Sequence, residues 1–97
     1  KADVILANPT HISVAVSYDA ETMVSPTVIA KGADHLAFRI REIAKEHNIP
    51  IVENVPLARS LYKTVKVGRA VPRPLYKAVA EVLAFVYKLK AKKGALA

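Results

Sequence analysis

Two short runs near the start of the chain, Asp3-Val4-Ile5-Leu6-Ala7 and Ile12-Ser13-Val14-Ala15-Val16-Ser17-Tyr18, have strand character. In the second, Val14, Val16 and Tyr18 alternate with Ser13, Ala15 and Ser17, and a period of two predicts a half-buried strand. Asp19-Ala20-Glu21-Thr22 reads as a polar loop. A third β-rich run spans 24–31. Its strand, Thr27-Val28-Ile29-Ala30, begins after Pro26, where a missing N–H costs no ladder bond, and Gly32 is expected to end it.

The period then changes. Over 33–47, Ala33, Leu36, Ala37, Ile40, Ile43 and Ala44 fall on one face at helical spacing. Arg41, Glu42, Lys45 and Glu46 make a solvated charged face, with Phe38 and His35 exposed on the flank. Asn48 is a C-terminal cap and Pro50 confirms the stop. Ile51-Val52-Glu53-Asn54 is another strand, and a strand–helix–strand unit of this length implies parallel pairing with helices on the sheet. Pro56 opens a second helix over 57–63 with Leu57 and Leu61 as its apolar stripe. A loop over 65–71 has Gly68 at its sharpest point.

The last helix begins near Pro72 and Pro74 and runs to about Lys90. Leu75, Val79, Val82, Val86 and Leu89 form its core line. Tyr76, Ala80, Leu83 and Tyr87 widen the apolar arc on one side and Phe85 on the other, leaving Lys77, Glu81 and Lys88 as a polar strip. Such an arc is wider than a helix on a sheet needs; it is either a partner surface or a deeper core. The residues define an α/β domain with a sheet of about four strands and helices around it. Residues 1–90 form one domain, and 91–97 are expected to be a flexible basic tail.

Composition narrows the chemistry. Ninety-seven residues, 53% of them hydrophobic, make one domain with a modest core. With no cysteine there is no disulfide, thiolate nucleophile or Cys-ligated zinc. His11, His35 and His47 lack metal-ligand spacing, so neither a metal nor another cofactor is expected. The net charge of +7 gathers in the second half, on Lys63, Lys66, Arg69, Arg73, Lys77, Lys88, Lys90, Lys92 and Lys93. It suits nucleic acid, an anionic membrane surface or acidic partners without choosing among them. No segment is long and apolar enough to span a bilayer, no signal peptide is visible, and the chain reads as a fragment of something longer.

Asn8-Pro9 has unusual chemistry open to it. Asn commonly damages its backbone when the next residue's amide nitrogen attacks its side chain, but Pro9 has no N–H. The remaining route is attack by the Asn8 side-chain nitrogen on its own backbone carbonyl, closing a succinimide and releasing Pro9 as a new N-terminus. A near-attack geometry can lower such a barrier by about 7–11 kcal/mol, and placed acid–base groups add about 10²–10⁴-fold. His11 is close enough to contribute, and Thr10 is a candidate to bond the turn or the developing oxyanion. The bland alternative is an Asn that starts a turn.

In its context the Asn8-Pro9-Thr10-His11 motif resembles the cytoplasmic domain of the FlhB/YscU/SpaS family of type III secretion export-apparatus proteins. Ala2-Asp3-Val4-Ile5 precedes it and Val14-Ala15-Val16-Ser17-Tyr18-Asp19 follows. Further matches are Ala30-Lys31-Gly32-Ala33, Arg39-Ile40-Arg41-Glu42-Ile43-Ala44 and Pro56-Leu57-Ala58-Arg59-Ser60-Leu61-Tyr62. The final helix, from Leu75 to Tyr87, looks flagellar rather than injectisome.

The resemblance implies self-cleavage between Asn8 and Pro9, once per molecule rather than as a turnover enzyme. Fragments 1–8 and 9–97 would stay associated as neighbouring strands of one sheet, the chain being broken at the turn between them. His11 would be a modulator of the cut. Upstream, a linker would lead to inner-membrane helices, placing this domain on the cytoplasmic face of the bacterial inner membrane. Implied partners are other export-apparatus proteins, early rod and hook substrates, and a secreted hook-length control protein. Cleavage would accompany a change of export specificity from rod and hook to filament subunits. An apolar patch involving Pro26, Ala80 and Leu83 would receive a short motif of early substrates, with Ser25 standing where a small apolar residue is common. The alternative is a small basic nucleic-acid-binding domain, although six aromatics with no stacking pattern on a strand fit it poorly. The basic face could also rest on anionic lipid, which is compatible with the export reading.

Overall fold

Alternate residues of the first strand, β1 (Val4–Asn8), face two different cores, because successive side chains on a strand point to opposite sides. Val4 and Leu6 enter the larger core, built with α2 (Val55–Thr64) and α3 (Tyr76–Leu96). Ile5 enters a smaller one under α1 (His35–Glu46). The computed structural model describes the backbone of residues 1–96 and the side chains of residues 1–92. The other strands are β2 (Ile12–Ser17), β3 (Thr27–Ala33) and β4 (Ile51–Glu53), and a 3₁₀ turn (Arg73–Leu75) leads into α3.

The four strands form one sheet in the order β3-β2-β1-β4. β1 and β2 are an antiparallel hairpin pairing Val4 with Val16 through to Asn8 with Ile12. β4 is parallel, as expected, but its partner is β1. The inner edge of β3 already pairs with β2. On the outer edge of β3, Gly68 donates to the Val28 carbonyl at 2.7 Å and Val28 to that of Arg69 at 3.0 Å. Val71 donates to the Pro26 carbonyl at 2.8 Å. The 65–71 loop thus occupies the first part of that edge, turning at Gly68, whose φ of 88° suits a residue without Cβ.

β2 is not half-buried. Ser13, Ala15 and Ser17 are buried as well as Val14 and Val16, with α1 packed over Ser13 and Ala15. Small side chains there let the helix approach, and it answers with its own small residues, Ala37 and Ala44. The buried Ser13 hydroxyl donates to the Ala37 carbonyl and accepts from the Arg41 guanidinium, both at 3.0 Å. Arg41 therefore leaves the solvated face expected for it, satisfying a buried hydroxyl that would otherwise carry a desolvation cost. Leu36 and Ile43, expected inside, are 55% and 39% exposed, since α1 touches the sheet along a narrow stripe.

Gly32 does not end β3; it lies within it, paired with Ser13. A Cβ at this position would meet the Leu36 side chain, with Leu36 Cβ at 2.8 Å, so close strand–helix packing requires glycine. Ala33 is likewise strand rather than helix. The reversal falls at Asp34, whose φ of 53° and ψ of −117° match the first central position of a type II′ turn, normally glycine. A side chain there costs about 1–3 kcal/mol.

α1 stops at Asn48 as expected. Asn48 is left-handed (φ 58°), its N–H reaches the Lys45 carbonyl at 3.3 Å, and Ile49 N–H reaches that of Ala44 at 2.8 Å. Those two bonds are the Schellman arrangement. Asn54 is the N-cap of α2 rather than its preceding strand's end, accepting the Leu57 N–H at 3.2 Å. On α3, Val79, Val82, Leu83 and Val86 are buried, while Leu89 is 41% exposed. The helix continues to Leu96, past the end expected at Lys90. Of the expected tail at 91–97, Ala97 and the side chains from 93 onward lie outside the described residues.

Candidate functional site: the Asn8–Pro9 turn and an apolar pocket

Asn8 closes β1, Ile12 opens β2, and Pro9, Thr10 and His11 project between them into solvent. The Asn8 carbonyl accepts the His11 N–H at 2.9 Å, an i to i+3 turn bond with Pro9 at its first central position. Proline's fixed φ suits that position. Asn8 itself is half-buried. Its neighbour Ala7 is buried and accepts the Asn54 N–H at 3.0 Å, so the strand is held on both sides up to the turn.

The carbonyl bonded to His11 is that of the Asn8–Pro9 peptide. If the Asn8 side-chain nitrogen adds to it, negative charge develops on this oxygen. A backbone donor at 2.9 Å is within the range that stabilises such an oxyanion. The donor that the turn places on it is the main-chain N–H of His11. Only the turn geometry reveals this, because every residue type except proline carries the same N–H.

Asn8, Pro9, Thr10 and His11 are thus one constellation. Pro26, Ala80 and Leu83 form another, lining a pocket of about 310 Å³ with Tyr18, Tyr76 and Tyr87. Ser25, buried at the pocket's edge, turns its hydroxyl to the Pro26 carbonyl at 3.5 Å. Leu83 is itself buried and forms the floor, whereas Ala80, Tyr76 and Tyr87 are open to solvent. The wide arc of α3 is therefore both core and surface. Tyr18 was not foreseen here; its place at the end of the alternating β2 run was the available signal. Partial desolvation of its ring side against the pocket, with Asp3, Tyr18 and Asp19 nearby, pushes the Tyr87 phenol above its usual 10.0 although the residue as a whole stays exposed.

The two constellations stand at opposite ends of β2, roughly 20 Å apart at about 3.4 Å per residue. All aromatic side chains are described; five lie on helices and Tyr18 just beyond β2, so no strand presents a stacking face. Among the described residues, no helix is long and apolar enough to cross a membrane.

A mixed four-stranded sheet whose central hairpin ends in an Asn-Pro turn defines the class of export-apparatus domain that the sequence resembles. The chain belongs to the FlhB HrpN YscU SpaS family, whose sequence model matches residues 1–86. It is 56% identical over 92 residues to the flagellar biosynthetic protein FlhB of Bacillus subtilis (strain 168), covering 95% of this chain and 26% of that protein. With FlhB of Salmonella typhimurium the identity is 57% over 90 residues, covering 93% and 24%. This chain therefore spans about a quarter of the length of those relatives. The structure superposes on the cytoplasmic domain of FlhB from Shewanella putrefaciens with a TM-score of 0.93 at 49% identity, covering 97% of this chain and 72% of that one. A mutated EscU C-terminal domain matches with a TM-score of 0.86 at 35% identity, over 89% and 86% of the two chains.

Proposed function

We propose that this is the cytoplasmic domain of a flagellar type III export-apparatus protein that cuts its own backbone once, between Asn8 and Pro9. The observation that carries this reading is the Asn8 carbonyl, presented at the end of a central strand and bonded to the His11 N–H at 2.9 Å. The identity to flagellar FlhB proteins supports the setting.

In the proposed reaction the Asn8 Nδ2 forms a bond to its own carbonyl carbon. Charge gathers on the carbonyl oxygen under the His11 N–H. The C–N bond to Pro9 then breaks, and the proton shed by the side-chain amide ends on the proline nitrogen. Water later opens the succinimide. The His11 imidazole, exposed beside the turn, modulates proton traffic. Residues 1–8 stay in place: Val4, Ile5 and Leu6 are buried, each worth about 1.5–3 kcal/mol, and β1 is bonded on both edges.

The pocket of Pro26, Ala80 and Leu83 receives an apolar motif of early rod and hook substrates. The cut turn accompanies the switch to filament subunits, in concert with the hook-length control protein and other apparatus components. The domain works at the cytoplasmic face of the inner membrane, joined upstream to membrane helices.

Intact mass under denaturing conditions, on fresh protein and after incubation at neutral pH, tests the reading. Two species split between Asn8 and Pro9, eluting as one particle on a native column, are expected. A single stable full-length species overturns self-cleavage by this domain.

A further inference from the structure

The ladder between β2 and β3 runs one bond beyond its last paired residues, Ile12 and Ala33: the Asp34 N–H donates to the His11 carbonyl at 2.9 Å. His11 is thus tied twice through its backbone, by its carbonyl to Asp34 and by its N–H to the Asn8 carbonyl. Those two ties hold the peptide units on either side of the His11 Cα, and with them the placement of the N–H that meets the Asn8 carbonyl. The first is made by the Ala33–Asp34 peptide, wedged between paired Ala33 and the turn into α1, where Asp34 holds a φ of 53° and a ψ of −117°, a conformation that side-chain-bearing residues avoid. The exposed Asp34 side chain makes no capping bond to α1, so helix capping does not account for the turn. The Asp34 carbonyl starts the helix instead, accepting the Phe38 N–H at 3.0 Å.

We propose that Asp34 is a positioning residue for cleavage at Asn8–Pro9: its backbone amide, at the entry to the positive-φ turn, anchors the His11 carbonyl and so restrains His11, whose N–H meets the Asn8 oxygen. This rests on the self-cleavage reading above. It makes the β3–α1 connection, remote in sequence, part of the apparatus that prepares the turn. An oxyanion donor acts by being fixed beforehand, and small misplacements of reacting groups cost large factors in rate. An anchor that holds the donor from the far side is therefore felt in the rate, although it touches no reacting atom.

The experiment uses the full chain, pulse-labelled in cell-free translation and chased at neutral pH, with the uncut fraction followed over time. Asp34→Gly keeps the amide and accepts the turn conformation freely. Asp34→Val favours negative φ, and with β3 and α1 both packed the change is taken up by rotation of the Ala33–Asp34 peptide that carries the amide. Leu61→Ala, in the core and far from the turn, serves as a control for loss of stability alone. Hydrogen exchange of the His11 amide gives a readout that general destabilisation does not reproduce selectively.

Expected are a parent that cuts, an Asp34→Gly chain within about threefold of it, and an Asp34→Val chain slowed by at least about tenfold. The Asp34→Val chain also loses His11 amide protection selectively, while Leu61→Ala keeps near-parental cutting. If Asp34→Val cuts like the parent, the positioning role is overturned and self-cleavage stands. If Asp34→Gly is as slow as Asp34→Val, the carboxylate rather than the backbone is at work, and the proposal is again overturned. If the parent does not cut, the underlying reading falls and the positioning role with it.

Discussion

The backbone N–H of His11 points at the carbonyl oxygen of Asn8 from 2.9 Å, across the two residues that separate them. The bond needs nothing from the Asn8 side chain, so the turn can survive loss of the proposed nucleophile. Asn8→Ala is expected to abolish splitting while leaving the circular dichroism spectrum unchanged. Normal splitting in that variant would sink the mechanism. Pro9→Ala restores an N–H at the next residue and with it the deamidation route. We expect an unbroken chain whose mass rises by the difference between an amide and a carboxyl, measured after incubation at neutral pH.

Leu6 is expected to decide how firmly residues 1–8 are retained once the proposed cut is made. It is fully buried in the larger core, on a strand bonded along both edges. Leu6→Ala is expected to destabilise the domain by about 2–5 kcal/mol. In cut protein it should release residues 1–8, seen as a second peak in native size-exclusion chromatography. Retention as firm as in the parent would show that the ladder alone holds the fragment.

Much of the fold is legible in the sequence, and each miss has a physical cause. Asn8-Pro9-Thr10-His11 stands out there because the chemistry proposed for it lies in neighbouring residues. Ala80 and Leu83 were visible through the surplus apolar arc of α3, while Pro26 came through family resemblance alone. Ser13 and Ser17 misled, because a small polar residue beneath a helix looks the same in sequence as one facing water. Gly32 looked like a terminator since a glycine needed for close packing and one needed for a turn are the same letter. The partner of β4 was hidden by non-local pairing. Asp34 was invisible for a different reason: its importance lies in a backbone angle that its side chain opposes.

Gly32→Ala tests the close approach of β3 and α1. The added methyl collides with the Leu36 side chain near its root, so rotation alone does not relieve it. A loss of about 1–3 kcal/mol in urea unfolding is expected, the usual range for overpacking. Gly32→Ala combined with Leu36→Ala should recover part of that loss. No recovery would mean that the strand, rather than the helix, resists the methyl.

The raised pKa of Tyr87 carries a pH dependence with a definite sign. Above 10.0 the unfolded chain loses this phenolic proton while the folded chain still keeps it. The folded state then binds more protons, so stability falls as pH rises. The contribution is fully present below 10.0 and disappears as pH climbs through the raised folded value. Tyr87→Phe should flatten the alkaline decline in thermal stability and change little at neutral pH. An unchanged alkaline slope would assign the decline to other groups.

The partly covered outer edge of β3 restricts how anything can be recognised by this domain. Peptides often bind by β-augmentation, adding a strand to a free edge and reading main chain more than side chains. Here the start of one edge, around Val28, is filled by the domain's own 65–71 loop, and the other edge belongs to β4, only three residues long. Little main chain is free to be read, which favours selection by side chains through pockets such as that around Leu83. The loop and the shortness of β4 leave neighbouring copies little template for edge-to-edge pairing. An extended chain that joins this sheet has only the far part of β3 or the three residues of β4 to pair with.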